Sequence, residues 1–158
     1  MWLHRLFRSE PTRPPVPLAE DGRRVFVAAV RAARRDGYEY VSTTHQLIGV
    51  VEAGPSPALD VLHQAGITPA AVRGRCAVSP GLGQESGPLP LTPHAERVLA
   101  AAWRAAESRG AGGARALDLL IALARETEGE ARQMLIDLAP DNQIAEGDTT
   151  SPTVPESE

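Results

Sequence analysis

Residues 18–37, LAEDGRRVFVAAVRAARRDG, lie over residues 91–110, LTPHAERVLAAAWRAAESRG, without a gap when the chain is slid on itself by 73 positions. Arg24, Val25, Ala29, Ala33 and Gly37 then meet Arg97, Val98, Ala102, Ala106 and Gly110. In each stretch the apolar positions recur at the spacing of one helix face, and the closing glycine stands where a C-terminal cap falls. The same offset brings Leu47 and Ile48 onto Leu120 and Ile121, and Ala58 and Leu62 onto Ala131 and Leu135. Two copies of one helical unit account for this register.

Punctuation divides each copy further. Ser56-Pro57, Thr68-Pro69 and Thr92-Pro93 each place a capping hydroxyl before a proline at the first helical position, where a missing N–H costs nothing. Gly66 ends the short helix between the first two, and Asp141 is placed to cap a short last helix over NQIAE. The expected fold is all-α: two tandem four-helix repeats, about eight helices with short connections, related by a pseudo-two-fold axis. Repeat 1 covers about residues 18–78, a Gly/Pro/Ser-rich linker 79–90, and repeat 2 about 91–146. The predicted core is Val25, Phe26, Leu47, Ile48, Val61 and Leu62 with Val98, Leu99, Leu120, Ile121, Met134 and Leu135. Residues 1–17 read as a disordered Arg/Pro-rich arm because PTRPPVP cannot be helical, and the polar residues 147–158 as a disordered acidic tail.

Composition agrees. The 158 residues are 42% hydrophobic but include only two each of Trp, Tyr and Phe, so the core is built from small aliphatic side chains suited to closely approaching helices. The net charge is -4 and every basic residue is arginine. An acidic total argues against general phosphate-backbone binding. Arginines do crowd the start, at positions 5, 8, 13, 23, 24, 31, 34 and 35, so a regulatory nucleic-acid binder using that region stands as the alternative function. Cys76 is the single cysteine, which excludes an intrachain disulfide and a cysteine-based zinc cage and makes the cytoplasm the expected compartment. MWLHRLFRSE is interrupted by Arg5, Arg8 and Glu10, and reads as neither a secretory signal nor a membrane span.

The stretch YVSTTHQLIGV at 40–50 sets hydroxyls beside a histidine. A nucleophile–base pair would need an orienting acid and an oxyanion hole, and G-x-S-x-G does not occur. The simpler reading is a helix start, with Ser42 or Thr43 bonding the free N–H groups of the next turn. His4, His45, His63 and His94 form no i, i+4 pair, so no metal is expected; Glu126, Glu128 and Glu130 read as a solvated acidic turn. Without a G-x-x-x-x-G-K-[ST] loop, no nucleotide cofactor and no enzyme activity are expected.

The 73-residue unit occurring twice, with LTPHAERVLAAAWRAAESRG, STTHQLIGV, RETEGEARQML and ALDVLHQAG as its motifs, resembles the Clp N-terminal repeat (Clp R) domain that heads Clp-type AAA+ unfoldases. The likeness covers roughly residues 18–146. It implies a protein- and peptide-binding accessory of Clp-type proteolysis, an adaptor, decoy or regulator. The partners it implies are a Clp-type unfoldase or protease, or its substrates and adaptors. Where the family pattern reads G-T-E-H, this chain has Ser42, Thr43, Thr44 and His45 in one copy and Arg115, Ala116, Leu117 and Asp118 in the other. In some family members that glutamate grips the guanidinium of phosphoarginine, and neither Thr44 nor Leu117 can make such a charge-assisted bond. The resemblance therefore implies binding around Thr43, Thr44 and His45 and around Arg115, Leu117 and Asp118, without a preference for phosphoarginine.

Overall fold

The register is carried into the backbone. The computed structural model describes residues 12–76 and 88–139, where helices beginning at 20, 43 and 57 recur at 93, 116 and 130, each 73 residues further on. The first repeat contains α1 (Glu20–Arg35), α2 (Thr43–Glu52), α3 (Pro57–Gln64) and α4 (Pro69–Arg75); the second contains α5 (Pro93–Ser108), α6 (Ala116–Arg125) and α7 (Glu130–Leu138). Among the described residues the fold is all-helical and no strand occurs. The expected eighth helix at 142–146 and the 147–158 tail lie outside the described residues, as do residues 1–11 and most of the 79–90 linker.

The caps follow the sequence signals. Ser56, Thr68 and Thr92 each accept a backbone N–H three residues on, from Leu59, Ala71 and Ala95, with proline at the first helical position. Gly37 and Gly110 end the two long helices at φ of 78° and 72°, a left-handed conformation that glycine adopts without a Cβ clash.

The two repeats hold each other reciprocally. Leu18 pairs with Ala114 and Val41 pairs with Leu91, and the 73-residue offset exchanges these two bridges. Ala19 N–H donates to Ala114 C=O at 2.8 Å, and its counterpart Thr92 N–H donates to Val41 C=O at 3.0 Å. Ala114 N–H reaches Pro17 C=O at 3.0 Å, as Val41 N–H reaches Pro90 C=O at 2.9 Å. Such exchange is what a pseudo-two-fold axis requires. Part of the expected disordered arm belongs to this junction: besides Pro17, Thr12 Oγ1 accepts Leu89 N–H at 3.0 Å and Val16 packs on the core. The bonds left open by the prolines are satisfied across the repeats.

Helix α2 packs against each of the other described helices, which is why its residues are apolar nearly all round and why His45 and Gln46 are buried within it. Its approach to α1 depends on Gly49, where an added Cβ would lie 2.4 Å from the carbonyl oxygen of Val25. Most of the predicted core is buried, including Val25, Leu47, Ile48, Leu62, Val98, Leu99, Leu120 and Leu135. Two members are not: Val61 is 39% exposed and Ile121 41%. Val61 lies off the Ala58/Leu62 stripe by which α3 packs. Ile48 is covered by packing around α2, including α4; for Ile121, the segment at the position matching α4 lies outside the described residues.

Candidate functional site

At the N-terminus of α2 the N-cap is Ser42, with His45 as the third helical residue. His45 Nδ1 accepts the Ser42 backbone N–H at 3.0 Å and lies 3.1 Å from Ser42 Oγ, so the histidine serves the helix start and carries its proton on Nε2. Tyr38 packs edge-on against the ring at 4.7 Å. Burial lowers the His45 pKa below its ordinary 6.5, outweighing the upward pull of Asp36 and Glu130, so the imidazole is neutral.

Thr43 and Thr44 face the second repeat rather than their own helix start. The buried Thr43 Oγ1 accepts Ala131 N–H at 3.4 Å, and Thr44 Oγ1 donates to Glu130 Oε2 at 3.3 Å. A carboxylate from α7 thus stands beside the position where the family pattern carries its glutamate.

These residues open onto a cavity of about 450 Å³ between the repeats. Asp36, Tyr38, Tyr40 and Cys76 form the first-repeat wall, and Thr92, His94, Glu128, Glu130 and Met134 the opposite one. Tyr38 and Tyr40 meet edge to face at 5.6 Å, and Tyr40 is exposed. Arg75 also lines the cavity, but its guanidinium is held by Asp137 at 2.8 Å. The lining is therefore aromatic on one side, with carboxylates of Asp36, Glu128 and Glu130 around it, of which Asp36 is paired with Arg35 at 3.4 Å and Glu128 with Arg97 at 3.3 Å. Such a surface favours a cation, through the ring faces and through charge.

Beside the mouth, His94, Glu126 and Glu128 bring potential ligand atoms within 4.8 Å of one another. Arg97 sits among them, bonded to Glu126 at 3.4 Å, to Glu128 at 3.3 Å and to His94 Nδ1. The acidic turn is solvated at Glu128 and Glu130, as expected, and also carries a charge network tying α5 to the α6–α7 connection.

Arg115, Leu117 and Asp118 lie at the equivalent start of α6, apart from the cavity. Asp118 is buried, and its oxygens are committed within the fold: Arg109 donates two bonds at 2.9 and 2.8 Å and the Arg115 backbone N–H a third at 2.9 Å. Burial pushes its pKa up, but those bonds, with the Arg115 side chain, overcome this and hold it below the usual carboxylate range. Arg115 is exposed and Leu117 half-buried. Of the six predicted site residues, the structure gathers Thr43, Thr44 and His45 at one cavity and leaves Arg115, Leu117 and the buried Asp118 at the separate start of α6.

Sequence reasoning missed Asp36, Tyr38, Tyr40 and the cavity role of Glu130. The available signal was the Tyr38-x-Tyr40 pair just before Ser42 in a chain otherwise poor in aromatics.

The family described as Clp repeat (R) N-terminal domain matches residues 16–138. A Guillardia theta protein named as an ATP-dependent Clp protease ATP-binding subunit ClpA homolog is 33% identical over 120 residues, 75% of this chain. The Pisum sativum chloroplastic chaperone protein ClpC shows the same identity over the same share. The chain spans 15% of the first relative's length and 13% of the second's. Among solved structures, the N-terminal domain of the chaperone ClpD from Arabidopsis thaliana superposes with a TM-score of 0.62 at 19% identity, covering 82% of this chain and 90% of that one. The N-terminal domain of the ClpV1 ATPase from E. coli gives 0.57 at 16% identity, covering 80% of each.

Proposed function

The chain belongs to the Clp repeat (R) N-terminal domain family, and on that footing we propose that it is a non-catalytic protein- or peptide-binding module of Clp-type ATP-dependent proteolysis. Its proposed role there is that of an adaptor, decoy or regulator, in the cytoplasm. The observation that carries the reading is the cavity between the repeats, walled by Tyr38 and Tyr40 and edged by Asp36, Glu128 and Glu130. A peptide bound there inserts a cationic side chain, its stem against the rings and its charge toward the carboxylates. A phosphoryl group faces repulsion from those carboxylates, so unmodified arginine or lysine is preferred over phosphoarginine. The exposed Arg115 and half-buried Leu117 form a weaker second contact, unequal to the first because Asp118 is committed to Arg109.

Affinity capture from native lysate on the immobilised domain tests the role. A Clp ATPase among the retained proteins, lost on changing Tyr40→Ala and Glu130→Gln together, is expected. Capture without any Clp component would overturn the assignment to Clp proteolysis.

A further inference from the structure

The outward face of α1 carries an arginine stripe that the fold does not use. Arg23, Arg24 and Arg31 surround the exposed Val27 in a groove of about 390 Å³, which also takes in Ala28 and Ala53. Among the described residues, these arginines make one ion pair, the exposed Arg24–Glu20 contact at 3.9 Å. The duplicated architecture supplies an internal control. At the matching positions of α5 stand Glu96, Arg97, Ala100 and Arg104, where one acid offsets one of two arginines and Arg97 is bonded to Glu126 and Glu128. A helix in this place therefore needs neither the surplus charge nor the exposed valine.

We propose that this face of α1 docks an acidic segment of a partner protein, with an apolar side chain of that segment seated on Val27 between the arginines. From Arg24 to Arg31 is two helical turns, about 10 Å, which matches carboxylates about one heptad apart on a partner helix or a few residues apart on an extended one. Charge complementarity selects the acid. The apolar floor, and the Glu20 and Glu52 carboxylates at the groove, fit a peptide with discrete carboxylates better than a continuous phosphate backbone. This surface is separate from the cavity between the repeats, and the proposal does not depend on what that cavity binds.

The test is fluorescence anisotropy of the full chain with a labelled peptide of alternating glutamate pairs and single leucines. A lysine-for-glutamate version and a labelled single-stranded DNA serve as comparators. Saturable binding of the acidic peptide is expected, weakening as salt is raised from about 50 to about 300 mM. The double change Arg24→Glu and Arg31→Glu should weaken it about tenfold or more, while Arg104→Glu on the matching helix leaves it within about twofold. Val27→Ser should weaken the leucine-bearing peptide but not one with serine in place of leucine. Circular dichroism confirms that each variant is folded. No saturable binding, or equal loss with Arg104→Glu, overturns the proposal. So does DNA binding tighter than that of the peptide and lost in the same double variant, which would make the stripe a nucleic-acid surface. Acidic-peptide binding that appears only after residues 147–158 are removed would also overturn it, by assigning the stripe to the chain's own tail.

Discussion

His45 and Asp118 occupy the same place in the two repeats, the third residue of the second helix, and each accepts the backbone N–H of the residue three before it, Ser42 at 3.0 Å and Arg115 at 2.9 Å. One structural task is done by an imidazole in one copy and a carboxylate in the other, and the two respond to acid in different windows. The folded-state pKa of His45 lies below its ordinary 6.5, so as pH falls through that value the unfolded chain takes up a proton that the folded chain refuses. Stability then declines until the pH reaches the folded pKa. Asp118, held below its ordinary 3.8, stabilises the fold above that pH and loses its contribution only at lower pH. Replacing His45→Gln keeps a cap acceptor and removes the titration. Thermal denaturation between about pH 7 and about pH 5 should show a smaller loss of Tm in the variant than in the parent. Parallel slopes would mean that His45 is not the titrating group.

Gly49 fixes how closely α1 and α2 cross. With the Val25 carbonyl oxygen 2.4 Å from an added Cβ, Gly49→Ala should destabilise the fold by about 1–3 kcal/mol despite the better helix propensity of alanine. Its counterpart in the second repeat is already Ala122. Urea denaturation measures the effect; a neutral or stabilising result would show that the helices separate without cost.

Leu62 and Leu123 are fully buried, one on each side of the pseudo-two-fold junction. Truncation of either to alanine should cost about 2–5 kcal/mol in the same assay. If the repeats fold as one cooperative unit, each truncation shifts the whole transition rather than splitting it.

The Cys76 thiol donates to Val72 C=O at 3.1 Å, and burial pushes its pKa up to about 11. Very little thiolate is present at neutral pH, so alkylation by iodoacetamide should run well over tenfold slower than for an exposed cysteine. A rate equal to that of a free thiol would contradict the half-buried, hydrogen-bonded placement.

Much of the fold was legible because its signals are local and occur twice. The Ser/Thr-Pro starts, the Gly37 and Gly110 stops and the apolar stripes each act within one helix, and the offset lets each copy check the other. The site was legible only in part. Ser42, Thr43 and His45 announce a helix start, but the sequence does not show that Thr44 reaches Glu130, a contact across 86 positions that depends on how the repeats dock. Asp118 reads as a free acid until the turn of the chain lays Arg109 against it. Ile121 copies Ile48 in sequence yet not in burial, being 41% exposed where Ile48 is 1%.

In the proposed function the cavity between the repeats takes a cationic peptide side chain and does not prefer its phosphorylated form. Calorimetric titration of the chain with an arginine-bearing peptide and with the same peptide carrying phosphoarginine tests it most directly. One dominant site is expected for the unmodified peptide, weakened about tenfold or more by Tyr40→Ala or Glu130→Gln, with no gain on phosphorylation. Tight, saturable binding of the phosphoarginine peptide at two equivalent sites, indifferent to Tyr40 and Glu130, would contradict it.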